Sequence, residues 1–251
     1  MPFSLEGRTA VVTGSSTGLG RATAETLGRA GAKVAVNYCH NGQRAEQALR
    51  EIRQAGVEAI LIQADVTDEA DVDRLFRETE DQLGPVDIVV VNATPYQYEH
   101  PIEEYDWDFH QQMVDFFIKS PFLLTRRALP SMKARQWGRI VNITSEVFHR
   151  GVARFSAYVA AKGGQIGWSR SMSRELAPFG ITVNTVAPGW IPTKRHLQAD
   201  QQAMDAYLAG IPAGRWGVPQ DVADATLYFS SIEASFVTGQ TLCVNGGRTP
   251  W

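Results

Sequence analysis

The sequence predicts an α/β domain: a single doubly wound parallel sheet of about seven strands with helices on both faces. Three observations predict it. Short β-branched runs recur at wide, regular intervals, each run is near-continuously apolar, and the segments between them carry helical spacing. An apolar run without alternation marks a strand buried on both faces, as in a parallel sheet between helix layers. Strand alternating with helix then gives right-handed crossovers.

The expected strands are Thr9–Thr13, Lys33–Tyr38, Ala59–Ala64, Val86–Asn92, Gly138–Thr144, Ile181–Ala187 and Gln240–Val244. In Arg21–Ala30, Ala22, Thr23, Leu27 and Ala30 share one side while Arg21, Glu25 and Arg29 point elsewhere, so this segment is helical. A further helix is expected from Trp107 to Leu129. Between the last two strands, Pro188 to Gly217 holds several prolines, a polar run (Gln198–Gln202), Trp190 and Trp216. In an α/β domain such an interruption is expected to form a lid over the ligand cleft. No linker, low-complexity tract or internal repeat divides the chain, so residues 1–251 are expected to form one domain.

Composition narrows the function classes. Hydrophobic residues at 44% and charged residues at 20% are ordinary globular usage. A net charge of −3 provides no electrostatic drive toward nucleic acid or an anionic membrane. Two cysteines, Cys39 and Cys243, are too few for a disulfide framework and are expected to be reduced thiols. The N-terminus lacks a signal-peptide layout, and no uncharged apolar stretch reaches the roughly 20 residues a bilayer needs, so a cytoplasmic location is expected. The five histidines, His40, His100, His110, His149 and His196, show no ligand spacing, and no metal site is expected.

Two motifs carry chemistry. The first strand is followed by Thr13-Gly14-Ser15-Ser16-Thr17-Gly18-Leu19-Gly20, which opens a helix. There Gly14 suits a tight turn, Gly18 lets backbone approach a pyrophosphate, and Gly20 permits close packing of helix on strand. The helix N-terminus adds N–H groups and a positive dipole end. Further on, Ser145 ends the fifth strand run, and Tyr158-Val159-Ala160-Ala161-Lys162 sets a phenol and an ammonium four apart on one helix face. A phenol near pKa 10 is too weak an acid for neutral pH, and a neighbouring ammonium lowers it into a usable general acid/base. Ser145 is placed to donate to a carbonyl oxygen as it gains charge.

The glycine loop, Asn92-Ala93, Ser145, Tyr158/Lys162, Pro188-Gly189 with Thr193, and Asn245-Gly246-Gly247 fall in one order along the whole chain. In that order and spacing the chain resembles the short-chain dehydrogenase/reductase family, in its compact form that includes 3-oxoacyl-carrier-protein reductases and sugar or polyol dehydrogenases. The resemblance implies a Rossmann-like sheet and hydride transfer between a nicotinamide and a carbonyl/alcohol carbon. It implies that Gly14, Ser16, Thr17, Gly18, Leu19 and Gly20 line the cofactor phosphates and nearby ribose, and that Asn37 and Tyr38 border the same site. Asp65 and Val66 would contact the adenine, and Asn92 and Ala93 the adenine ribose. Pro188, Gly189, Ile191 and Thr193 would wrap the nicotinamide carboxamide. Tyr158 would exchange a proton with the substrate oxygen that Ser145 holds, while Lys162 binds the nicotinamide ribose and lowers the tyrosine pKa. The family commonly forms dimers or tetramers through the helices bearing Phe117 and Tyr158, so a homotetramer or homodimer is expected, with Trp251 reaching toward a neighbour.

Two positions depart from the family pattern. Thr94 replaces the glycine that usually follows Asn-Ala, and Phe117 stands where an asparagine usually holds a water in the proton relay. A phenyl ring makes no such hydrogen bond. The end of the second strand, Val36-Asn37-Tyr38-Cys39-His40, has no acid to bind ribose hydroxyls, which favours NADP over NAD. Glu146, Tyr96 and Trp190, beside Ser145, are the expected substrate contacts, and with Tyr98, Phe148, His149, His196 and Trp216 they suit a small polar substrate such as a polyol or sugar. The alternatives are a 3-oxoacyl-thioester reductase, whose carrier protein would meet Arg126, Arg127, Lys133 and Arg135, and a non-catalytic dinucleotide-binding regulator.

Overall fold

The computed structural model describes residues 2–194 and 200–250. Seven strands, β1 (Thr9–Val12), β2 (Lys33–Tyr38), β3 (Ala59–Gln63), β4 (Ile88–Val91), β5 (Gly138–Ile143), β6 (Ile181–Pro188) and β7 (Thr241–Val244), form one sheet in the order β3-β2-β1-β4-β5-β6-β7. Every pairing is parallel. All seven expected runs are strands, and the architecture is the doubly wound, Rossmann-like one.

Burial on both faces explains the uniformly apolar strands. On one face Ala10, Val12, Val34, Val36, Val90 and Val141 meet Ala24 and Leu27 of α1 (Gly18–Arg29) and Ile52 of α2 (Gly42–Gln54). On the other face Val11, Ala35, Val89, Ile140 and Val183 meet Leu75 and Phe76 of α3 (Glu69–Leu83). The register seats Val11 between Ala35 and Val89, so the alternate residues of β1 serve opposite cores. The strand order reverses between β1 and β4, which leaves a crevice at the C-terminal strand ends where ligands bind in open α/β sheets.

The helix expected from Trp107 to Leu129 is interrupted. It resolves into α4 (Trp107–Val114), a π turn (Asp115–Lys119) and α5 (Ser120–Arg135). The cause is Pro121, which has no N–H to donate and whose ring clashes with the carbonyl four residues back, that of Phe117. Widening the preceding turn relieves the clash, and such turns frequently sit at functional sites.

A short α6 (Val147–Arg150) precedes the long α7 (Ser156–Leu176). The segment expected to be a lid contributes α8 (Gln201–Ala209), and α9 (Pro219–Ser230) follows it onto the α1 face. Pro188 itself is the last residue of β6, so the segment leaves the sheet only after it. The expectations for His196 and Trp251 lie outside the described residues. Among the described residues no helix is long and apolar enough to cross a membrane.

Candidate active site

The crevice is built first at the β1–α1 junction. Thr13 Oγ1 accepts from the N–H groups of Asn92 (2.8 Å) and Ala93 (2.9 Å), tying the ends of β1 and β4 together. The Asn92 amide donates to the Thr13 carbonyl (2.8 Å), and a Cβ on Gly20 would lie 2.4 Å from its Nδ2. Gly14 and Gly18 both take positive φ, +62° and +55°, which favours glycine. Thr17 makes no side-chain cap to the N–H groups in the first turn of α1. Thr193, after β6, backs onto this loop, its Cγ2 3.7 Å from where a Gly18 Cβ would stand.

Asn37 serves the loop from within. It is buried, its Oδ1 accepts from Gly14 N–H (3.0 Å) and its Nδ2 donates to the Ala64 carbonyl (3.0 Å). Both ends of the amide are thus engaged with backbone. Tyr38 is half-buried at the strand end. The Asp65 carboxylate is half-buried and its Oδ1 accepts from Thr67 N–H (2.9 Å) and Oγ1 (2.7 Å), and Val66 is buried.

The second centre lies beyond β5. Ser145 is half-buried, and its Oγ accepts from Val147 N–H at 3.3 Å. Tyr158 packs edge-on against Phe117 (5.4 Å between centroids), and Lys162 Nζ lies 5.7 Å from the Tyr158 ring centroid. Phe117 is 1% exposed, and its face covers the ammonium at 3.7 Å. The π turn therefore delivers a phenyl ring to the point where the family pattern has asparagine. Lys162 itself is buried, and its Nζ donates to the Ile143 carbonyl (2.7 Å) and Gln165 Oε1 (3.0 Å). Burial pushes its pKa well below the ordinary lysine value.

Glu146, the residue after Ser145, is enclosed by hydrogen bonds. It is 2% exposed, its Oε1 accepts from Tyr207 (2.5 Å) and Arg150 (3.3 Å), and its Oε2 accepts from Thr249 (3.2 Å). The carboxylate thus joins α6, α8 and the C-terminal tail. Burial first, then the Glu146 carboxylate, pushes the Tyr207 phenol up, which keeps it a donor. Tyr207 Oη also accepts from Trp190 N–H (2.7 Å), and the Trp190, Tyr207 and Trp216 rings pack on one another. Trp190 and Tyr207 border a cavity of about 210 Å³ with Gly189, Ile191 and Asn245. Tyr96 is exposed in an aromatic run with Tyr98 and Phe109.

Sequence reasoning missed Gln165 and Tyr207. A signal for the first existed: Tyr158, Lys162, Gln165 and Ser169 form a polar stripe at helical spacing on α7. Among the described residues no group of three or more His, Cys, Asp or Glu is placed to hold a metal.

A family model described as Enoyl-(Acyl carrier protein) reductase matches residues 14–249. The 3-oxoacyl-[acyl-carrier-protein] reductase FabG of Staphylococcus aureus is 37% identical over 242 residues, covering 96% of this chain and 97% of its own. A crystal structure described as a candidate gluconate dehydrogenase from Agrobacterium tumefaciens superposes with a TM-score of 0.94 at 36% identity, covering 99% of this chain and 98% of its own. A candidate 2-deoxy-d-gluconate 3-dehydrogenase from the same organism, with bound NADP, gives 0.89 at 36% identity over 98% of each chain. The chain belongs to the short-chain dehydrogenase/reductase family of NAD(P)-dependent oxidoreductases.

Proposed function

We propose that the chain is an NADP(H)-dependent alcohol dehydrogenase/carbonyl reductase acting on a small polar substrate, a polyol, sugar or other hydroxy compound. The observation that carries this reading is Tyr158, whose ring lies 5.7 Å from a buried ammonium that no carboxylate pairs among the described residues. The junction residues fit a dinucleotide: an uncapped helix N-terminus and two positive-φ glycines provide a backbone cradle for phosphate. Gly14, Ser16, Thr17, Gly18, Leu19 and Gly20 would hold the phosphates, and Pro188, Gly189, Ile191 and Thr193 the nicotinamide end. When bound, the nicotinamide supplies or accepts the hydride at the carbonyl/alcohol carbon.

The chain's own residues then manage the oxygen. The Ser145 hydroxyl donates to it, and the Tyr158 hydroxyl donates its proton as negative charge develops in reduction, or takes it back in alcohol oxidation. The positive charge of Lys162 favours the phenolate at neutral pH. NADP is preferred because no acid stands at the end of β2, and a structural relative binds NADP.

The identity to a 3-oxoacyl-carrier-protein reductase supports a second reading, reduction of a 3-oxoacyl thioester. Against it, three of the basic residues that would meet a carrier protein are already paired: Arg126 with Glu69, Arg127 with Glu80 and Asp73, Arg135 with Asp87. An activity panel crossing NAD and NADP with polyols, sugars and an acetoacetyl thioester, read by nicotinamide absorbance, separates the two. Tyr158→Phe is expected to abolish turnover while nicotinamide affinity stays within a few-fold, and retained turnover would sink the mechanism. NADPH binding without turnover on any substrate would favour a regulatory protein. We also infer a homodimer or homotetramer built on the helices bearing Phe117 and Tyr158, where the flanking α4 and α5 expose Trp107, Val114 and Phe122, which light scattering tests.

A further inference from the structure

We propose that Gln165 is a positioning residue: its amide oxygen holds the Lys162 ammonium charged and behind Tyr158, a task that Phe117 cannot perform. The proposal rests on the acid/base reading of Tyr158 given above. Gln165 lies three residues after Lys162 on α7, is fully buried, and accepts from Nζ at 3.0 Å. Its Nε2 has no protein partner among the described residues. Burying an amide half-satisfied on a core-facing helix stripe is costly, and packing alone is served better by an apolar residue. The Nζ contact is the one use the structure gives that side chain.

The choice of amide has a chemical consequence. The remaining neighbours of Nζ are the Ile143 carbonyl and the face of Phe117, both neutral. An apolar side chain in place of Gln165 would leave the buried ammonium with one acceptor, and desolvation would favour loss of its proton. A carboxylate would retain the charge but cancel its field at Tyr158. The amide does neither.

Among the described residues no acid reaches Lys162 from the elements around it. Glu146 after β5 is turned to Tyr207 and Thr249, and Asp115 on the π turn accepts from Gln111. On α4, Asp108 is exposed and His110 Nδ1 faces the Asp106 carbonyl. The charges that act on His149 of α6 are Arg170 and Glu146. β6 carries no titratable side chain.

The test is a tyrosinate absorbance titration of the full-length chain without cofactor, with the curve of the matching Tyr158→Phe variant subtracted to isolate Tyr158. In the natural chain Tyr158 is expected to titrate below the ordinary phenol value of about 10. Gln165→Met, close in shape but without the carbonyl, should raise that midpoint by about one pH unit. Gln165→Glu, of the same shape, should raise it as well and covers the case in which the methionine variant does not fold. A Tyr158 midpoint that is ordinary in the natural chain, or unchanged in either folded variant, overturns the proposal. Turnover in the activity panel together with an unchanged midpoint would remove Gln165 alone. A shifted midpoint in a protein without turnover would remove the oxidoreductase reading and leave the positioning role standing.

Discussion

Gly20 has no room for even one more carbon. A Cβ there would sit 2.4 Å from Asn92 Nδ2 and 2.6 Å from the Gly14 carbonyl oxygen, both of them parts of the loop's own fastening. Relief requires the Asn92 amide to release the Thr13 carbonyl, which weakens the fastening between the ends of β4 and β1. Gly20→Ala is therefore expected to weaken NADPH binding by tenfold or more, about 1.4 kcal/mol, measured by fluorescence titration. Unchanged affinity would show that the loop does not hold the phosphates. The glycines of this loop were legible because each answers a local demand of turn, approach or packing. The role of Asn37 was not legible: its partners Gly14 and Ala64 come from the ends of other strands, and strand pairing alone brings them together.

Among the elements, α8 is held by one phenol. Tyr207 donates to the buried Glu146 carboxylate and accepts from Trp190 N–H, so it bridges α6, the residues after β6 and α8. Tyr207→Phe keeps the ring stack on Trp216 but strips a donor from the carboxylate and an acceptor from the amide. The carboxylate keeps Arg150 and Thr249, but the Trp190 N–H loses its acceptor, so a loss of about 1–3 kcal/mol in urea denaturation is expected. The Trp190 amide should also exchange faster with solvent. If its protection were unaltered, the phenol would not be the fastening. Glu146 and Tyr207 are 61 residues apart, and no periodicity relates them, so this latch could not be read from the sequence. The π turn could have been: Pro121 marks it, four residues after the carbonyl it displaces. The helical pattern through Trp107–Leu129 is strong enough to mask that single ring.

The whole molecule separates chemistry from anchoring along the strand axis. The C-terminal strand ends carry the crevice. At the opposite ends Asp87 takes Thr9 N–H, Arg8 and Arg135, and the buried Arg139 donates to the carbonyls of Ser231, Gly138 and Gly180. The seven strands were legible because each is a short β-branched run and the central ones are buried on both faces, whereas these charged fastenings depend on side chains from distant segments. Acid sensitivity follows from a related set of carboxylates. Asp71 is held below its ordinary 3.8 first by the Asp65 N–H and then by Arg74, and Asp221 below 3.8 by Arg215. Glu233 lies below 4.5 because the Phe3 N–H donates to it. A carboxylate whose pKa is lower folded than unfolded stabilises the fold fully above the unfolded value. That contribution is lost as pH falls through the folded value. The melting temperature is therefore expected to hold between about pH 5 and 8 and to fall below about pH 4. The three groups lie near the surface, so added salt should flatten the acid slope. Asp71→Asn combined with Asp221→Asn should lower the plateau and make the acid limb shallower, because two of the sites that take up a proton on unfolding are gone. An acid limb as steep in that double variant as in the natural chain would assign the sensitivity to other groups, with Asp87 and its two arginines the next to replace.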